Sequence, residues 1–210
     1  DRKVLLRVDN LVKHFPIKAG VFKRTVAWVK AVDGVSFDVY EGETVGLVGE
    51  SGCGKTTVGM TLLRLYEPTS GRIIVNGEDT THYFLSARKA KNYVRNTYVK
   101  RFQKSDFKPQ DDLDKKYYDI FKNGGENGLL EHMVGDLEKK RLQFRRNIQI
   151  VFQDPYSSLD PRMRVKNILA EGPLAHKIIK KPDSIEVVGK ALEEVGIHSG
   201  HMYRFPHEFS

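Results

Sequence analysis

Hydrophobic and polar residues alternate in two early stretches of the chain, residues 3–12 and 31–40. Such alternation is typical of a β-strand that exposes one face to water, so a strand is predicted for each stretch. Two further runs, residues 44–48 and 147–152, are predicted to be core strands, and the first of them is apolar enough to be buried on both faces. These elements favour an antiparallel layer that leads into a parallel core.

Apolar residues at helical spacing dominate most of the remaining chain. They predict a helix after residue 54 that ends at the turn 67–71, and further helices from residue 165 onward with a break at residues 172–173. Residues 81–141 are charged and rich in aromatic side chains, with helical spacing on both sides of a loop at 123–128. We interpret them as an inserted helical subdomain, because a disordered segment would hold fewer aromatic residues.

The segment between the strand 44–48 and the first helix carries the strongest chemical signal. It has the phosphate-binding pattern of Gly, four residues, Gly, Lys and Thr, in the strand-to-helix context that this pattern requires. Its glycines let successive backbone amides point into one concavity, and the helix adds its positive end. A polyphosphate site is therefore predicted at Gly49, Glu50, Ser51, Gly52, Cys53, Gly54, Lys55, Thr56 and Thr57.

Three side chains of this loop are predicted to act on the phosphates and on their metal ion. Lys55 supplies a mobile ammonium for the β- and γ-phosphates, Thr56 a hydroxyl for Mg²⁺, and Thr57 a second hydroxyl near the α-phosphate. Cys53 fills an unspecified position of the pattern and is interpreted as a small filler. As the chain's 1 cysteine it forms no internal disulfide, which together with a nucleotide site favours a reducing cytosol.

Composition indicates a globular chain of 210 residues, long enough for one domain or slightly more. The net charge is +8, but residues 86–146 hold 16 Lys and Arg against 9 Asp and Glu, a surplus of +7 that leaves +1 for the rest. The basic character therefore belongs to the predicted insertion. Neither a membrane-spanning apolar run nor a secretory signal is found in the sequence.

Several long phrases, in the right order, resemble one family: the ATP-binding subunits of ABC transporters, specifically the oligopeptide and dipeptide importer group. The resemblance covers the chain except about residues 81–141. It is far more specific than the phosphate-binding loop alone. The phrases that carry it are residues 31–37, 41–44, 49–57, 65–71, 148–162 and 203–210.

The resemblance implies roles for two residues outside the loop. Gln153 resembles the glutamine that reaches Mg²⁺ or the attacking water, and the following segment, stiffened by Pro155 and Pro161, would face a membrane subunit. Phe15 resembles the aromatic residue that stacks on adenine, a contact worth about 1–3 kcal/mol, with Phe22 and Trp28 as its rivals. The implied cofactors are ATP and Mg²⁺. The implied catalytic residues are Lys55 and Gln153, and the implied metal-binding residues are Thr56 and Gln153.

The implied fold class is α/β: a P-loop NTPase core of ABC type with an N-terminal antiparallel β layer, a helical insertion and a partial helical subdomain. The implied division is 1–80 for the β layer and P-loop half, 81–141 for the insertion, 142–160 for the core strand and glutamine loop, and 161–210 for the helical subdomain. The implied partners are a second ABC ATPase subunit and transmembrane permease subunits. The implied location is the cytoplasmic face of the cell membrane, without contact to the transported solute.

The sequence departs from the family pattern at its end. Ser210 matches the first serine of the family signature, and the signature glycines and glutamine do not follow it. Also missing are the magnesium-supporting aspartate, the water-polarising glutamate and the switch histidine. The chain is therefore expected to be an N-terminal portion of a longer subunit that binds nucleotide yet shows negligible ATPase activity alone, since losing one transition-state donor typically costs about 100- to 1000-fold.

The insertion 81–141 lies outside the resemblance and leaves alternatives open. A solvated accessory subdomain is favoured, because its charges are mixed and its aromatic residues fall at helical core spacing. Contact with anionic lipid headgroups or with nucleic acid are the alternatives. For the whole chain, the favoured function is the energy-coupling ATPase of a peptide importer. The alternative is a soluble ABC-type ATPase that acts on nucleic acid through the insertion; a P-loop kinase or GTPase is disfavoured because guanine-specific and acceptor-binding motifs are lacking.

Overall fold

The computed structural model describes residues 2–154 and 157–209. The chain divides into two compact units, Asp1–Arg141 and Leu142–Ser210. The first unit combines a four-stranded sheet with helices, and the described part of the second unit is helical. The predicted α/β class is confirmed, whereas the predicted division into four parts stays a prediction. None of the helices in the described part of the chain has the length and apolar character needed to cross a membrane.

The sheet of the first unit is antiparallel throughout. Its strands are β1 (Val4–Ala19), β2 (Arg24–Tyr40), β3 (Ser70–Val75) and β4 (Glu78–Asp79), in the order β2-β1-β3-β4. Val8 of β1 lies opposite both Phe37 and Ile73. The alternation read from the sequence therefore corresponds to a real antiparallel layer, as predicted.

The first two strands are longer than the sequence predicts. The alternation predicts strands at residues 3–12 and 31–40, and residues 16–30 lie outside both predictions. In the structure these residues continue the β1–β2 hairpin, closed by a turn in which the Lys23 N–H donates to the Gly20 carbonyl oxygen at 3.0 Å. The β-branched and aromatic residues of 25–29 favour extended backbone, and pairing with the opposite strand at residues 15–18 holds them in it.

One face of the sheet packs against the first helix, α1 (Lys55–Leu62). Gly71 of β3 has φ +95°, and a Cβ there would lie 2.4 Å from the carbonyl oxygen of Asn10. A glycine at this position is what allows β3 to approach β1 so closely. The buried core between sheet and helix consists of Val8, Leu11, Val32, Val58 and Ile73.

The inserted residues are helical, as their spacing predicts, and pack around buried aromatic rings. Gly125 (φ 61°, ψ −160°) kinks the longest helix, so the loop predicted at 123–128 is reduced to a kink. The helices are α2 (Ala87–Val94), a π-helical turn (Arg95–Val99), α3 (Lys100–Phe102), α4 (Asp112–Val134) and α5 (Leu137–Asn147). Their core includes Val94, Tyr98, Phe102, Tyr117, Leu129 and Met133.

A buried polar cluster connects the insertion to the sheet. Oδ2 of Asp79 accepts hydrogen bonds from the hydroxyls of Tyr93 and Tyr98, both at 2.7 Å, and Oδ1 accepts the Thr81 N–H at 2.8 Å. The buried Arg64, just after α1, donates to the carbonyl oxygen of Thr81. Burial lowers the pKa of Arg64 to about 10, while the Asp79 charge opposes the shift. The cluster thus joins α1, the sheet and the insertion.

The two predicted core strands are not β-strands in the structure. Val48 in the first run is 94% exposed and Val151 in the second is 88% exposed. A strand buried on both faces needs paired neighbours and cover on each side. No strand in the described ranges pairs with either run, so the antiparallel layer forms and the parallel core does not.

The second unit is a small helical assembly. Pro173 lies inside the first of its helices, so the break predicted at residues 172–173 does not occur. Because proline has no backbone N–H, the last turn of that helix lacks one hydrogen-bond donor. The helices are α6 (Val165–Ala175) and α7 (Ser184–Glu194), followed by 3₁₀ turns at Ser199–Tyr203 and Pro206–Glu208. They pack around Ala170, Val188, Leu192 and Met202.

Candidate phosphate-binding site

The loop before α1 depends on glycine for its shape. Gly52 and Gly54 have φ values of +81° and +97°, which side chains rarely tolerate. A Cβ on Gly54 would also lie 2.2 Å from the carbonyl oxygen of Ala31. The loop therefore reaches the helix only by passing against β2, at a distance that no other residue type permits.

The N-terminus of α1 presents backbone amides without helical acceptors. Gly54 is the N-cap residue, and no side chain caps the helix there. The N–H of Val58 makes the first intrahelical bond, to the Gly54 carbonyl oxygen at 2.9 Å. The three preceding amides, of residues 55–57, therefore point out of the helix end, where the helix dipole also favours negative charge. This arrangement suits a phosphate group.

Lys55 lies across the loop that precedes it. Its Nζ donates to the carbonyl oxygens of Gly49 at 2.8 Å and Glu50 at 2.6 Å, and lies 3.6 Å from Sγ of Cys53. The ammonium is thus held within the loop by two neutral acceptors. An anion at this position would offer stronger acceptors, because the attraction between opposite charges would add to each hydrogen bond.

The two threonines at the start of α1 differ in exposure. Thr56 is exposed and Thr57 is half-buried, and the Thr57 carbonyl oxygen accepts a hydrogen bond from Thr61 Oγ1 at 2.6 Å. The described residues contain no cluster of three or more His, Cys, Asp or Glu side chains that could hold a metal ion. A magnesium ion here would therefore need phosphate oxygens as ligands beside a threonine hydroxyl.

Phe15 lies on β1, shortly after Val12, the last residue of that strand that pairs with β3. Its ring packs edge-on against Tyr66, with centroids 5.3 Å apart and planes at 87°, and the side chain is half-buried. Its rivals for an adenine contact, Phe22 and Trp28, lie further along the hairpin and are 85% and 55% exposed. Phe15 is thus the only one of the three held by a described aromatic neighbour.

Two neighbours of Phe15 were not predicted from the sequence. Tyr66 supplies the packing partner, and Nζ of Lys13 lies 4.6 Å from the Phe15 ring centroid and 5.8 Å from that of Tyr66. The same ammonium donates to the Glu67 carbonyl oxygen at 2.8 Å. The available signal was that Tyr66 lies inside residues 65–71, one of the phrases that carry the family resemblance.

Gln153 belongs to the second unit, whereas the phosphate-binding loop belongs to the first. It is exposed and lies in a bend, next to Asp154, whose Oδ1 accepts the Ser157 N–H at 3.2 Å. Pro155 and Ser210, which also carry predicted roles, lie outside the described residues. The roles predicted for Gln153 and for all loop residues remain predictions.

Comparison with protein families identifies a match. The family described as "ABC transporter" matches residues 32–134, a range that includes the phosphate-binding loop, α1 and most of the insertion.

Curated relatives align along nearly the whole chain. The oligopeptide transport ATP-binding protein AppF of Bacillus subtilis (strain 168) is 36% identical over 210 residues, 100% of this chain and 48% of the relative. OppF of the same organism, also an oligopeptide transport ATP-binding protein, is 38% identical over 98% of this chain and 48% of its own length. The glutathione import ATP-binding protein GsiA of Escherichia coli (strain K12) is 35% identical over 100% of this chain and 25% of its length. The chain spans about half the length of the first two relatives.

Proposed function

The chain belongs to the ABC transporter family, and from this premise we propose that it is the ATP-binding, energy-coupling part of an importer for peptides. The observation that carries the proposal is the loop 49–57, which ends at the uncapped N-terminus of α1 and whose Gly49 and Glu50 carbonyl oxygens accept hydrogen bonds from the Lys55 ammonium. The alignment with oligopeptide transport ATP-binding proteins supports the substrate class.

ATP with Mg²⁺ is the ligand that the loop residues fit. The backbone amides of residues 55–57 would bind the phosphate oxygens, and Lys55 would exchange its two carbonyl acceptors for oxygens of the β- and γ-phosphates. Thr56, exposed at the first turn of α1, would provide the protein oxygen for Mg²⁺, and Thr57 a hydroxyl near the α-phosphate. Glu50, Ser51, Gly52 and Cys53 would form the wall of the loop through their backbone.

Gln153 would act in hydrolysis by orienting water or reaching Mg²⁺. Its side chain is exposed and lies in a bend. The segment after it would contact transmembrane permease subunits. A second ATPase subunit would complete each nucleotide site, and the assembly would lie at the cytoplasmic face of the membrane without touching the transported solute.

Short peptides are the proposed solute class. The relatives are named for oligopeptide transport and for glutathione import, and glutathione is itself a short peptide. An action on nucleic acid receives no support from the insertion, because its rings at Tyr98, Phe102 and Tyr117 are buried in a core and cannot stack on bases.

Nucleotide binding by the full chain tests the proposal. A fluorescent ATP analogue should bind in the presence of Mg²⁺, and Lys55→Ala should weaken its binding about 10- to 100-fold, because a hydrogen bond to a charged group is worth about 1.5–3 kcal/mol. The control Lys180→Ala removes an exposed lysine of the second unit and should leave binding unchanged. Equal binding by all three proteins would disprove the role of the loop.

A further inference from the structure

The end of the β1–β2 hairpin extends beyond the sheet. We call residues 16–30 the arm. The last residue of β1 that pairs with β3 is Val12, opposite Ser70; further on, β1 pairs only with β2, as in Pro16 opposite Trp28. Every residue of the arm is exposed, and none belongs to the buried core of the sheet. The arm is thus a two-stranded projection held at its base.

The tip of the arm is apolar. Val21 and Phe22 lie in the turn between the strands and are 95% and 85% exposed. Val26 and Trp28 follow on β2 and are also exposed. Turns are normally polar, and an exposed apolar cluster of this kind marks a surface that binds something.

The arm is also strongly basic. It contains Lys18, Lys23, Arg24 and Lys30, which is 4 cations, and no Asp or Glu. Nζ of Lys30 lies 3.3 Å from Oδ2 of Asp33. For the other three cations, no carboxylate lies within ion-pair distance among residues 2–154 and 157–209. The arm therefore carries unneutralised positive charge beside its apolar tip.

We propose that the arm binds the surface of an anionic lipid membrane, with Val21 and Phe22 entering the headgroup region and the cations contacting lipid phosphates. Apolar residues at a tip, flanked by Lys and Arg, suit a soft interface that the tip can enter. Trp28, set back from the tip, suits the headgroup level.

The geometry disfavours two other occupants. A protein partner is usually bound through a face with an apolar centre and a polar rim, whereas the most exposed apolar residues here protrude from a turn. A second copy of the arm would bring like charges together, which is costly. Lipid binding goes beyond the proposed function, because it requires neither nucleotide nor a transport partner.

Vesicle binding by the full chain, without nucleotide, tests the proposal. Trp28 is the chain's 1 tryptophan, so its fluorescence reports on the arm alone. We expect its emission to shift to shorter wavelength, and the protein to sediment, with vesicles containing phosphatidylglycerol but not with pure phosphatidylcholine. Added salt should weaken the binding.

Two variants of the arm separate its charge from its apolar tip. Lys23→Gln with Arg24→Gln should weaken binding to anionic vesicles about 25-fold, since each cation near such a surface contributes about fivefold. Phe22→Ser should weaken it about tenfold or more, since one aromatic side chain leaves the interface. The matched controls Lys180→Gln and Ile178→Ser change an exposed cation and an exposed apolar residue of the second unit, and should bind like the unchanged chain.

Three results would overturn the proposal. The first is equal binding to neutral and anionic vesicles, and the second is unchanged binding of both arm variants. The third is a concentration-dependent dimer that Phe22→Ser abolishes, without any vesicle binding, because it would assign the arm to a second copy of the chain.

Discussion

The hydroxyl of Tyr98 donates a hydrogen bond to Oδ2 of Asp79 at 2.7 Å. This bond spans the junction between the insertion and the end of β4, and both side chains are fully buried. Tyr98 also contacts Tyr117 edge-on, with ring centroids 5.1 Å apart. The insertion is therefore fixed to the sheet by a buried carboxylate and by aromatic packing around it.

Tyr98→Phe should destabilise the first unit by about 1.5–3 kcal/mol, because it removes a hydrogen bond to a buried charged acceptor while keeping the ring in place. Urea unfolding followed by circular dichroism measures the loss. Tyr203→Phe, at an exposed tyrosine of the second unit, is the matched control and should change stability little. If the two variants unfold alike, the Asp79 contact does not stabilise the junction.

Gly54→Ala should disrupt the loop more than Gly52→Ala does. Both positions have positive φ, so each alanine stores backbone strain of about 1–3 kcal/mol. Only at Gly54 would the new Cβ meet a carbonyl oxygen at 2.2 Å; at Gly52 nothing lies within 4 Å. Urea unfolding of both variants isolates the effect of the clash, and equal losses of stability would show that β2 does not constrain the loop.

The antiparallel layer and the helices were predictable because their signals are local. Val8 lies opposite Phe37, and both residues belong to stretches whose alternation predicts a strand. The buried strand predicted for the run that contains Val48 is wrong, because an apolar sequence predicts burial but does not provide the strands and helices that would cover it. The extent of the hairpin was missed for a related reason: extended backbone at residues 25–29 depends on cross-strand pairing, which no single stretch of sequence reveals.

The candidate site was predictable to different degrees. The positive φ of Gly54 follows from its motif, because the motif places a glycine where the loop requires that backbone conformation. The packing of Phe15 on Tyr66 joins residues distant in sequence, and neither residue carries a pattern that points to the other. The buried Arg64 was likewise unpredictable, since a lone arginine after a helix is usually solvated.

Phe15→Ala should reduce affinity for a fluorescent ATP analogue about 5- to 150-fold if its ring stacks on adenine, a contact worth about 1–3 kcal/mol. Trp28→Ala and Phe22→Ala change the two rival rings and should leave the affinity unchanged. Measuring inorganic triphosphate as a competitor adds a control, because its binding does not involve a base and should survive Phe15→Ala. If Trp28→Ala alone reduces nucleotide affinity, Trp28 of the arm contacts adenine and Phe15 does not.

Acidification should destabilise the first unit through His82. This side chain is buried, and its Nε2 donates to the Met133 carbonyl oxygen at 2.7 Å. Burial lowers the pKa of His82; the Asp79 carboxylate opposes the shift, and the Lys140 and Arg64 charges add to it. The unfolded chain, with a histidine pKa of about 6.5, therefore binds the proton more readily than the folded chain. The stability is present above that pKa and is lost as the pH falls below it.

The variant His82→Gln isolates this contribution. Glutamine keeps an N–H donor for Met133 but does not titrate, so the variant should be less stable than the unchanged chain at pH 7.5 while losing less stability between pH 7.5 and pH 5.5. Urea unfolding at both pH values measures the two differences. An identical loss of stability on acidification in the two proteins would contradict the role of His82, because the remaining titrating groups, including His132, whose pKa is also lowered by burial, are common to both.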